Sequence, residues 1–228
     1  MKLAKPHIDI GLFTNQLDAM CAFWQQEVGL RFDHMLPLGG GVRQHRHELL
    51  GSVLKINHAR DPLPGNGPSG YRELLIARDG LDAPRELVDP DGNRVRLVPP
   101  GSFGVSRIGL RLGVRDAAAH ARFYRDAMGL APLPGHDDAF LCGDSVLLLE
   151  HDPAAPSEAT LEGAGYRYIT VQVFKTDEAH QAVLAGGGRE GRAPVTLGST
   201  ARISFVRDPD GNWIEISQRA SITGSLEP

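Results

Sequence analysis

The chain has 228 residues, with 24 Lys and Arg against 28 Asp and Glu, and a formal net charge of −4 at pH 7. The absence of a basic stripe argues against a nucleic-acid partner, and no apolar run approaches the length of a membrane span. The opening residues 1–6 lead directly into a strand pattern rather than a signal peptide, which predicts a cytoplasmic protein without a membrane partner.

The first unit of the chain predicts the element order βαβββ. The alternating pattern at residues 7–12 indicates a strand, and apolar residues at helical spacing over about 15–28 indicate a helix that Gly29 ends. Three further strands are predicted near residues 31–36, 42–49 and 52–57. A second, abbreviated unit follows, with a strand at 72–77, a short remnant at 78–84 where a helix and strand belong, and a strand at 94–98.

The third and fourth units repeat the full order. The third predicts a helix at 116–128 among strands at 108–114, 139–141 and 145–150. The fourth predicts a helix at 176–185 among strands at 166–174, 202–206 and 213–217.

Repeated landmarks show that these units arose by duplication. Asp-Pro-Asp-Gly-Asn occurs at 89–93 and again at 208–212, each time before a short alternating run, and it is strong turn chemistry. The stretch from Phe23-Trp24 to Leu30 returns 100 residues later as Phe123-Tyr124 to Leu130. We therefore expect two halves: residues 1–100 with modules 1 and 2, and residues 101–228 with modules 3 and 4.

This set of motifs resembles the vicinal oxygen chelate superfamily, which includes glyoxalase I, bleomycin-resistance proteins and extradiol dioxygenases. The resemblance rests on the opening strand with His7, the helix ending Phe-Trp-x-x-x-Val-Gly-Leu, and the run Asp-Pro-Asp-Gly-Asn-Trp-Ile-Glu-Ile that contains Glu215. It implies an α+β fold in which tandem βαβββ modules form half-open mixed β-barrels with the helices outside, the second module being truncated.

The resemblance also implies where metal ligands would stand, at the start of a module's first strand and on its fourth strand. From module 1 to module 4, these positions hold His7 and Lys55, Glu73 and Arg96, Arg107 and Leu148, and Tyr168 and Glu215. The family's usual set is two His and one Glu around Fe(II), Mn(II), Ni(II) or Zn(II). No pair of modules here supplies that set intact.

Module pairing decides which of these residues meet. Pairing of modules 3 and 4 leaves Glu215 as the single plausible ligand, and pairing of 1 with 2 gives His7 and Glu73. We favour pairing of 1 with 4, because it joins His7 to Glu215 within about 3–5 Å. It leaves 2 with 3, where Glu73 is expected to pair with Arg96 or Arg107 in a small or filled pocket.

Two histidines could complete a metal site. His45 and His47 alternate on one predicted strand and so share a face of the sheet. If that face is the inner one, they point toward His7, with His47 as a metal ligand and His45 as a ligand or base. The alternative is a solvated polar strand.

Lys55 and Tyr168 are the other candidate catalytic residues. Lys55 beside Glu215 could form an acid–base pair, or a salt bridge that has replaced a lost metal. Tyr168 could donate a proton or a hydrogen bond to a substrate, or serve only as a wall of the pocket.

These observations predict a small-molecule enzyme of the vicinal oxygen chelate type, and a homodimer is possible. In the metal version it is a ring-cleaving dioxygenase or a lyase or isomerase, acting on a substrate with neighbouring oxygens. The alternatives are a metal-free acid–base enzyme and a metal-free binder of the resistance type.

Overall fold

The computed structural model describes residues 1–226 of the chain, and two large sheets organise them. The strands are β1 (Leu3–Thr14), β2 (Phe32–Gly39), β3 (Val42–Leu49), β4 (Ser52–Ala59), β5 (Tyr71–Ala77), β6 (Arg85–Val88), β7 (Arg94–Val98), β8 (Ile108–Val114), β9 (Ala131–Pro132), β10 (Ala139–Cys142), β11 (Ser145–His151), β12 (Gly165–Val173), β13 (Arg189–Leu197), β14 (Ala201–Arg207) and β15 (Trp213–Arg219). The helices are α1 (Leu17–Ala22), α2 (Ala117–Arg122), α3 (Thr176–Ala185) and α4 (Ala220–Thr223), and a 3₁₀ turn spans Ser102–Gly104.

Each sheet combines strands from two modules. Sheet A has the order β13-β14-β15-β12-β1-β4-β3-β2, and sheet B has the order β6-β7-β5-β8-β11-β10-β9. Strand β1 of module 1 pairs antiparallel with β12 of module 4, and β5 of module 2 pairs antiparallel with β8 of module 3. The favoured pairing of 1 with 4 is confirmed. Both sheets therefore cross the sequence boundary at residue 100.

Most predicted elements form close to their expected limits. The predicted helices at 15–28 and 116–128 each consist of a short α-helix continued by a π-helical turn, Phe23–Glu27 in one case and Phe123–Ala127 in the other. Three strands were not predicted: β6 stands after the remnant of module 2, the two-residue β9 forms an edge of sheet B, and β13 forms an edge of sheet A. Residues of β13 are largely exposed, so its sequence carries little apolar alternation.

The helices cover one face of each sheet. Alternate residues of β1, such as Ile8, Ile10 and Leu12, pack with Trp24 in a core shared with sheet B. The opposite face, which we call the inner face, carries the intervening residues of the same strands. The fold is therefore the predicted α+β arrangement of tandem βαβββ modules. In the described part of the chain no helix is long and apolar enough to cross a membrane.

Candidate functional site

The inner face of sheet A brings together polar residues from its central strands. Gly11 of β1 lies opposite both Lys55 of β4 and Tyr168 of β12, and Thr170 of β12 lies opposite Glu215 of β15. Because residues paired across a ladder share a face, these side chains converge on one patch. Modules 1 and 4 contribute to it equally.

A buried lysine and a buried glutamate form the centre of this patch. Lys55 Nζ lies 2.7 Å from Glu215 Oε2 and donates to Thr170 Oγ1 at 2.6 Å, while Thr170 donates to the same Glu215 oxygen at 2.6 Å. The Lys55 side chain is 5% exposed and that of Glu215 is 11% exposed. Glu215 Oε1 accepts no hydrogen bond within residues 1–226, so it is free to accept one from a ligand.

A second carboxylate, Asp9, stands beside this centre. It accepts hydrogen bonds from Lys5 Nζ at 2.7 Å, from the Val53 backbone N–H at 2.9 Å and from Gln172 at 3.3 Å. Burial opposes its ionisation, but the charges of Lys55 and Lys5 outweigh burial and hold the pKa of Asp9 below its ordinary value. Asp9 is therefore an ionised carboxylate at neutral pH.

Tyr168 is held by two amides. Asn57 and Gln44 donate to its hydroxyl oxygen at 3.1 and 3.4 Å, and its ring lies where a side chain on Gly11 would stand, 2.2 Å from that Cβ position. Burial, reinforced by the charge of Glu215, raises the pKa of Tyr168 well above its ordinary value. The phenol is therefore neutral, and its proton is available for a hydrogen bond.

Aromatic side chains fill one end of the inner face, and a cavity occupies the other. Phe13, Tyr168, Phe205 and Trp213 pack as a cluster, with Leu161 from the preceding loop against them. At the opposite end a cavity of about 480 Å³ opens. Its lining combines the apolar residues Ala4, Pro6, Val53 and Ile222 with the polar and charged residues Lys5, Asp9, Asp33, His34, Arg46, Gln172, Arg219 and Ser221. This volume suits a small polar molecule.

The predicted metal pair of His7 and Glu215 is not formed. The Nδ1 atom of His7 lies 2.5 Å from Asp144 Oδ1, and its ring packs against Gly51. Regular pairing of β1 with β12 begins only at Ile8, after an irregularity in register. The inner-face position that lies opposite Thr170 is Asp9, so the sequence assignment stood two residues too early.

The expected orientation of His45 and His47 was also wrong. Arg46 and Gln44, not the histidines, share the inner face with Lys55 and Asn57. His47 instead contacts the Gln25 side-chain amide at 3.1 Å on the helix side. Burial lowers the pKa of both His45 and His47, so both imidazoles favour the neutral form.

The inner face of sheet B carries a self-neutralised ion network. Glu73 lies 3.0 Å from Arg96, 2.9 Å from Arg111 and 3.5 Å from Arg94, which confirms its predicted pairing with Arg96. Arg107 instead contacts Asp144. The rest of this face is closed by an apolar cluster around Leu75, Val105 and Val146, with Leu148 packed against it.

The cavities of the described residues differ as expected from this filling. A cavity of about 240 Å³ lies where Gly29 and Leu30 meet Ile76 and Arg78, away from the Glu73 network. It is half the volume of the cavity on sheet A. The larger of these two cavities is lined by residues of modules 1 and 4.

Sequence reasoning missed several inner-face residues, and a signal was present for most of them. Tyr168, Thr170 and Gln172 alternate on β12, so the period that included Tyr168 includes the others. Asp9 lies between Ile8 and Ile10, where a charged residue interrupts an apolar strand. Arg219 offered no signal, because its place at the cavity depends on the end of β15 reaching the rim.

The comparisons with known proteins agree with this geometry. Residues 105–216 match the family model of the Glyoxalase/Bleomycin resistance protein/Dioxygenase superfamily, so this part of the chain is a domain of that superfamily. The predicted membership of the vicinal oxygen chelate superfamily is thereby confirmed. No curated protein sequence matches the chain.

Solved structures extend the likeness of fold to the whole chain. Glyoxalase I from Zea mays superposes with a TM-score of 0.72 at 16% identity, covering 93% of this chain and 92% of that one. A point mutant of the same maize enzyme gives 0.73 at 15% identity over 99% and 96%. A Bacillus subtilis protein named "putative dioxygenase" gives 0.68 at 14% identity over 99% and 92%. At these sequence identities, the similarity supports a shared fold and not a shared activity.

The residues present do not fit the divalent metal that the superfamily implies. Glu215 is already bound by the Lys55 ammonium, and His7 is bound by Asp144. Within residues 1–226 no group of three His, Cys, Asp or Glu side chains is arranged to hold a metal. A metal cation brought next to Nζ of Lys55 would be repelled by its positive charge, so the site does not suit a metal ion.

Proposed function

We propose that the chain is a metal-independent acid–base enzyme that moves a proton next to a carbonyl group of a small polar molecule. The observation that carries this proposal is the buried ion pair of Lys55 and Glu215. Arg46, which lies opposite Lys55 in the ladder of β3 and β4, lines the open cavity. The Lys55 ammonium stands where a metal-dependent relative would need its cation. It thus offers a charge that can polarise a carbonyl oxygen without a metal.

The chemistry of the pair supports a balanced proton transfer. Glu215 Oε1 takes the proton from the carbon next to the carbonyl, and the C–H electrons form the C=C bond of an enolate. The carbonyl π electrons move to its oxygen, which accepts a hydrogen bond from the third N–H of Lys55. Return of the proton from Glu215 to the same carbon lets the oxygen electrons re-form the C=O bond, and exchange or inversion at that carbon is an isomerase-type reaction.

Neighbouring residues assist this step by position. Thr170 fixes Glu215 Oε2, so that Oε1 stays directed away from the lysine. The neutral phenol of Tyr168 offers a hydrogen bond, because burial keeps it protonated. Of the roles predicted from the sequence, those of Lys55, Glu215 and Tyr168 are retained in this proposal, whereas metal-assisted ring cleavage is not.

Deuterium exchange tests the proposal with a panel of simple carbonyl compounds in place of an identified substrate. Pyruvate, acetoacetate and hydroxyacetone are incubated with the protein in D₂O, and loss of the C–H signal is followed by proton NMR. We expect exchange that resists EDTA and falls at least about a hundredfold in Glu215→Gln, as for a lost general base. Glu86→Gln, an exposed change on β6, serves as the control.

A second candidate function is binding without turnover. It is favoured by the aromatic cluster that fills half of the inner face, and by the mutual neutralisation of Lys55 and Glu215. Lys55→Met separates the two functions, with Lys2→Met as the control for loss of one lysine. If the chain is an enzyme, Lys55→Met should lose exchange. Wild-type protein that exchanges none of the compounds would contradict the proposed chemistry, and so would exchange that survives Glu215→Gln.

A further inference from the structure

Within the described residues, two arginines that line the sheet A cavity lack carboxylate partners such as those of Arg96 and Arg111 on sheet B. Arg46 is 5% exposed; its Nη1 donates to Gln44 Oε1 at 2.7 Å, while its buried Nε has no partner. Arg219 is half-buried at the end of β15. Within residues 1–226, neither guanidinium forms an ion pair.

The nearby carboxylates are already occupied. Asp9 is bound by Lys5, and Glu215 is bound by Lys55. Asp33, at the cavity edge, contacts His34 at 2.8 Å. Lys5, Lys55, Arg46 and Arg219 thus face the three carboxylates of Asp9, Asp33 and Glu215, whose charges also reach Arg219. One positive charge stays in excess at the cavity, and an unpaired buried charge is costly to a folded protein.

We infer that Arg46 and Arg219 form an oxyanion-binding subsite, which holds a carboxylate or phosphate group carried by the substrate. The planar guanidinium fork suits both groups, because it donates parallel N–H bonds to their oxygens. The unpartnered Nε of Arg46 and the cavity that both residues line supply the donors and the room.

The position of this subsite narrows the substrate class of the proposed function. Its role in catalysis rests on that proposed function. Arg46 lies directly opposite Lys55 in the ladder of β3 and β4. An anionic group held by Arg46 would thus keep an adjoining carbonyl beside Lys55 and Glu215. The substrate class becomes small carbonyl compounds that carry an acid group.

Anion binding by the full chain tests the subsite directly. Sodium acetate and sodium phosphate are titrated by calorimetry against sodium chloride at equal ionic strength, with the melting temperature as a second readout. We expect acetate or phosphate to bind and raise the melting temperature where chloride does not. Tighter acetate binding identifies a carboxylate substrate, and tighter phosphate binding identifies a phosphorylated one.

Variants assign the binding to the two arginines. Arg219→Gln should raise the dissociation constant about tenfold or more, as expected for loss of a charge-assisted hydrogen bond, and Arg46→Gln should act alike. Arg60→Gln removes the same charge from an exposed position and should leave binding unchanged. If Arg46→Gln fails to fold, Arg219→Gln and the charge-retaining Arg219→Lys carry the test.

The outcomes separate this inference from the proposed catalysis. Anion binding that depends on Arg219 supports the subsite even if wild-type protein exchanges no carbonyl compound. Binding that persists in Lys55→Met also supports it. Equal effects of acetate, phosphate and chloride on the wild type, or wild-type affinity in Arg219→Gln, would overturn the subsite.

Discussion

The inner faces of sheets A and B are built from equivalent strands, yet their charged side chains are paired differently. On sheet B, Glu73 and Arg111 face each other across β5 and β8, and the matching residues of sheet A are Tyr168 and Gly11. Sheet B gathers arginines around one carboxylate and closes the remainder with apolar side chains. Within residues 1–226, sheet A keeps two arginines without carboxylate partners at an open cavity.

This difference shows how duplication can separate stability from function. The ion network of sheet B satisfies its own charges, so it has little left to offer a ligand. Sheet A pairs Lys55 with Glu215 but leaves hydrogen-bonding capacity directed at the cavity. We therefore expect changes on sheet B to affect chiefly the free energy of unfolding, and changes on sheet A to affect binding and turnover as well.

The largest loss of stability is expected from Glu73→Gln. The Glu73 side chain is 3% exposed and neutralises the partly exposed guanidinium groups of Arg96 and Arg111, so its removal leaves uncompensated charge. The free energy of unfolding should fall by about 3–5 kcal/mol, measured by urea denaturation. Glu86→Gln removes an exposed partner of Arg96 and should cost no more than about 0.5 kcal/mol. Equal losses in the two variants would contradict the contrast between the sheets.

A double-mutant cycle examines the corresponding pair on sheet A. Lys55→Met alone leaves the Glu215 charge buried and should cost about 3 kcal/mol. Adding Glu215→Leu removes that charge, so the double variant should be more stable than the sum of the single changes by about 1–3 kcal/mol. Urea denaturation of all four proteins gives the coupling, and strict additivity would show that the two residues do not interact.

Sheet A has Gly11 at the position where sheet B has Arg111. A substitution at Gly11 should change the free energy of unfolding by a smaller amount. A Cβ at Gly11 would lie 2.2 Å from the Tyr168 ring, which must then move. Gly11→Ala should therefore lower the free energy of unfolding by about 1–3 kcal/mol. Gly65→Ala, where the added Cβ has open space, is the control. Unchanged stability in Gly11→Ala would mean that Tyr168 is not packed as described.

The smallest expected effect is a pH dependence of the free energy of unfolding, which arises where His120 contacts the turn at residues 208–212. Buried His120 lies 3.5 Å from Asp208 and 3.6 Å from Asp210, whereas the residue 100 positions earlier is Met20. Burial disfavours the charged imidazole, but the carboxylates outweigh it and raise the pKa of His120 above 6.5. Its stabilising charge is complete below pH 6.5 and is lost as pH rises through the folded pKa.

The free energy of unfolding should accordingly decline as pH rises above about 6.5 and through the folded pKa of His120, and His120→Gln should flatten that decline. Urea denaturation across this range measures the slope. His136→Gln, a change in a loop, should retain the wild-type slope. A slope that survives in His120→Gln would assign the effect to another group.

The sequence predicted the modules well, because turns and periodic strands are local signals. The run Asp-Pro-Asp-Gly-Asn located β7 and β15, and helical spacing located α3 over its full length. Pairing of modules 1 and 4 also followed from the sequence, through the expectation that His7 joins Glu215, although those two residues do not meet.

The candidate site was predicted only in part, since its details depend on register. An irregularity in β1 before Ile8 shifts the inner-face position from His7 to Asp9. The period of β3 was correct, but the face was not: Arg46 points inward in place of His45 and His47. A period of two identifies which residues share a face, and only packing decides which face lies toward the site.

The central claim is that the Lys55 ammonium, not a metal, accompanies Glu215. Anaerobic reconstitution with Fe(II), Mn(II) or Zn(II), followed by desalting and elemental analysis, tests it most directly in wild type and Glu215→Ala. We predict metal far below one ion per chain in both proteins. Metal near one ion per chain in the wild type, lost in Glu215→Ala, would contradict the claim.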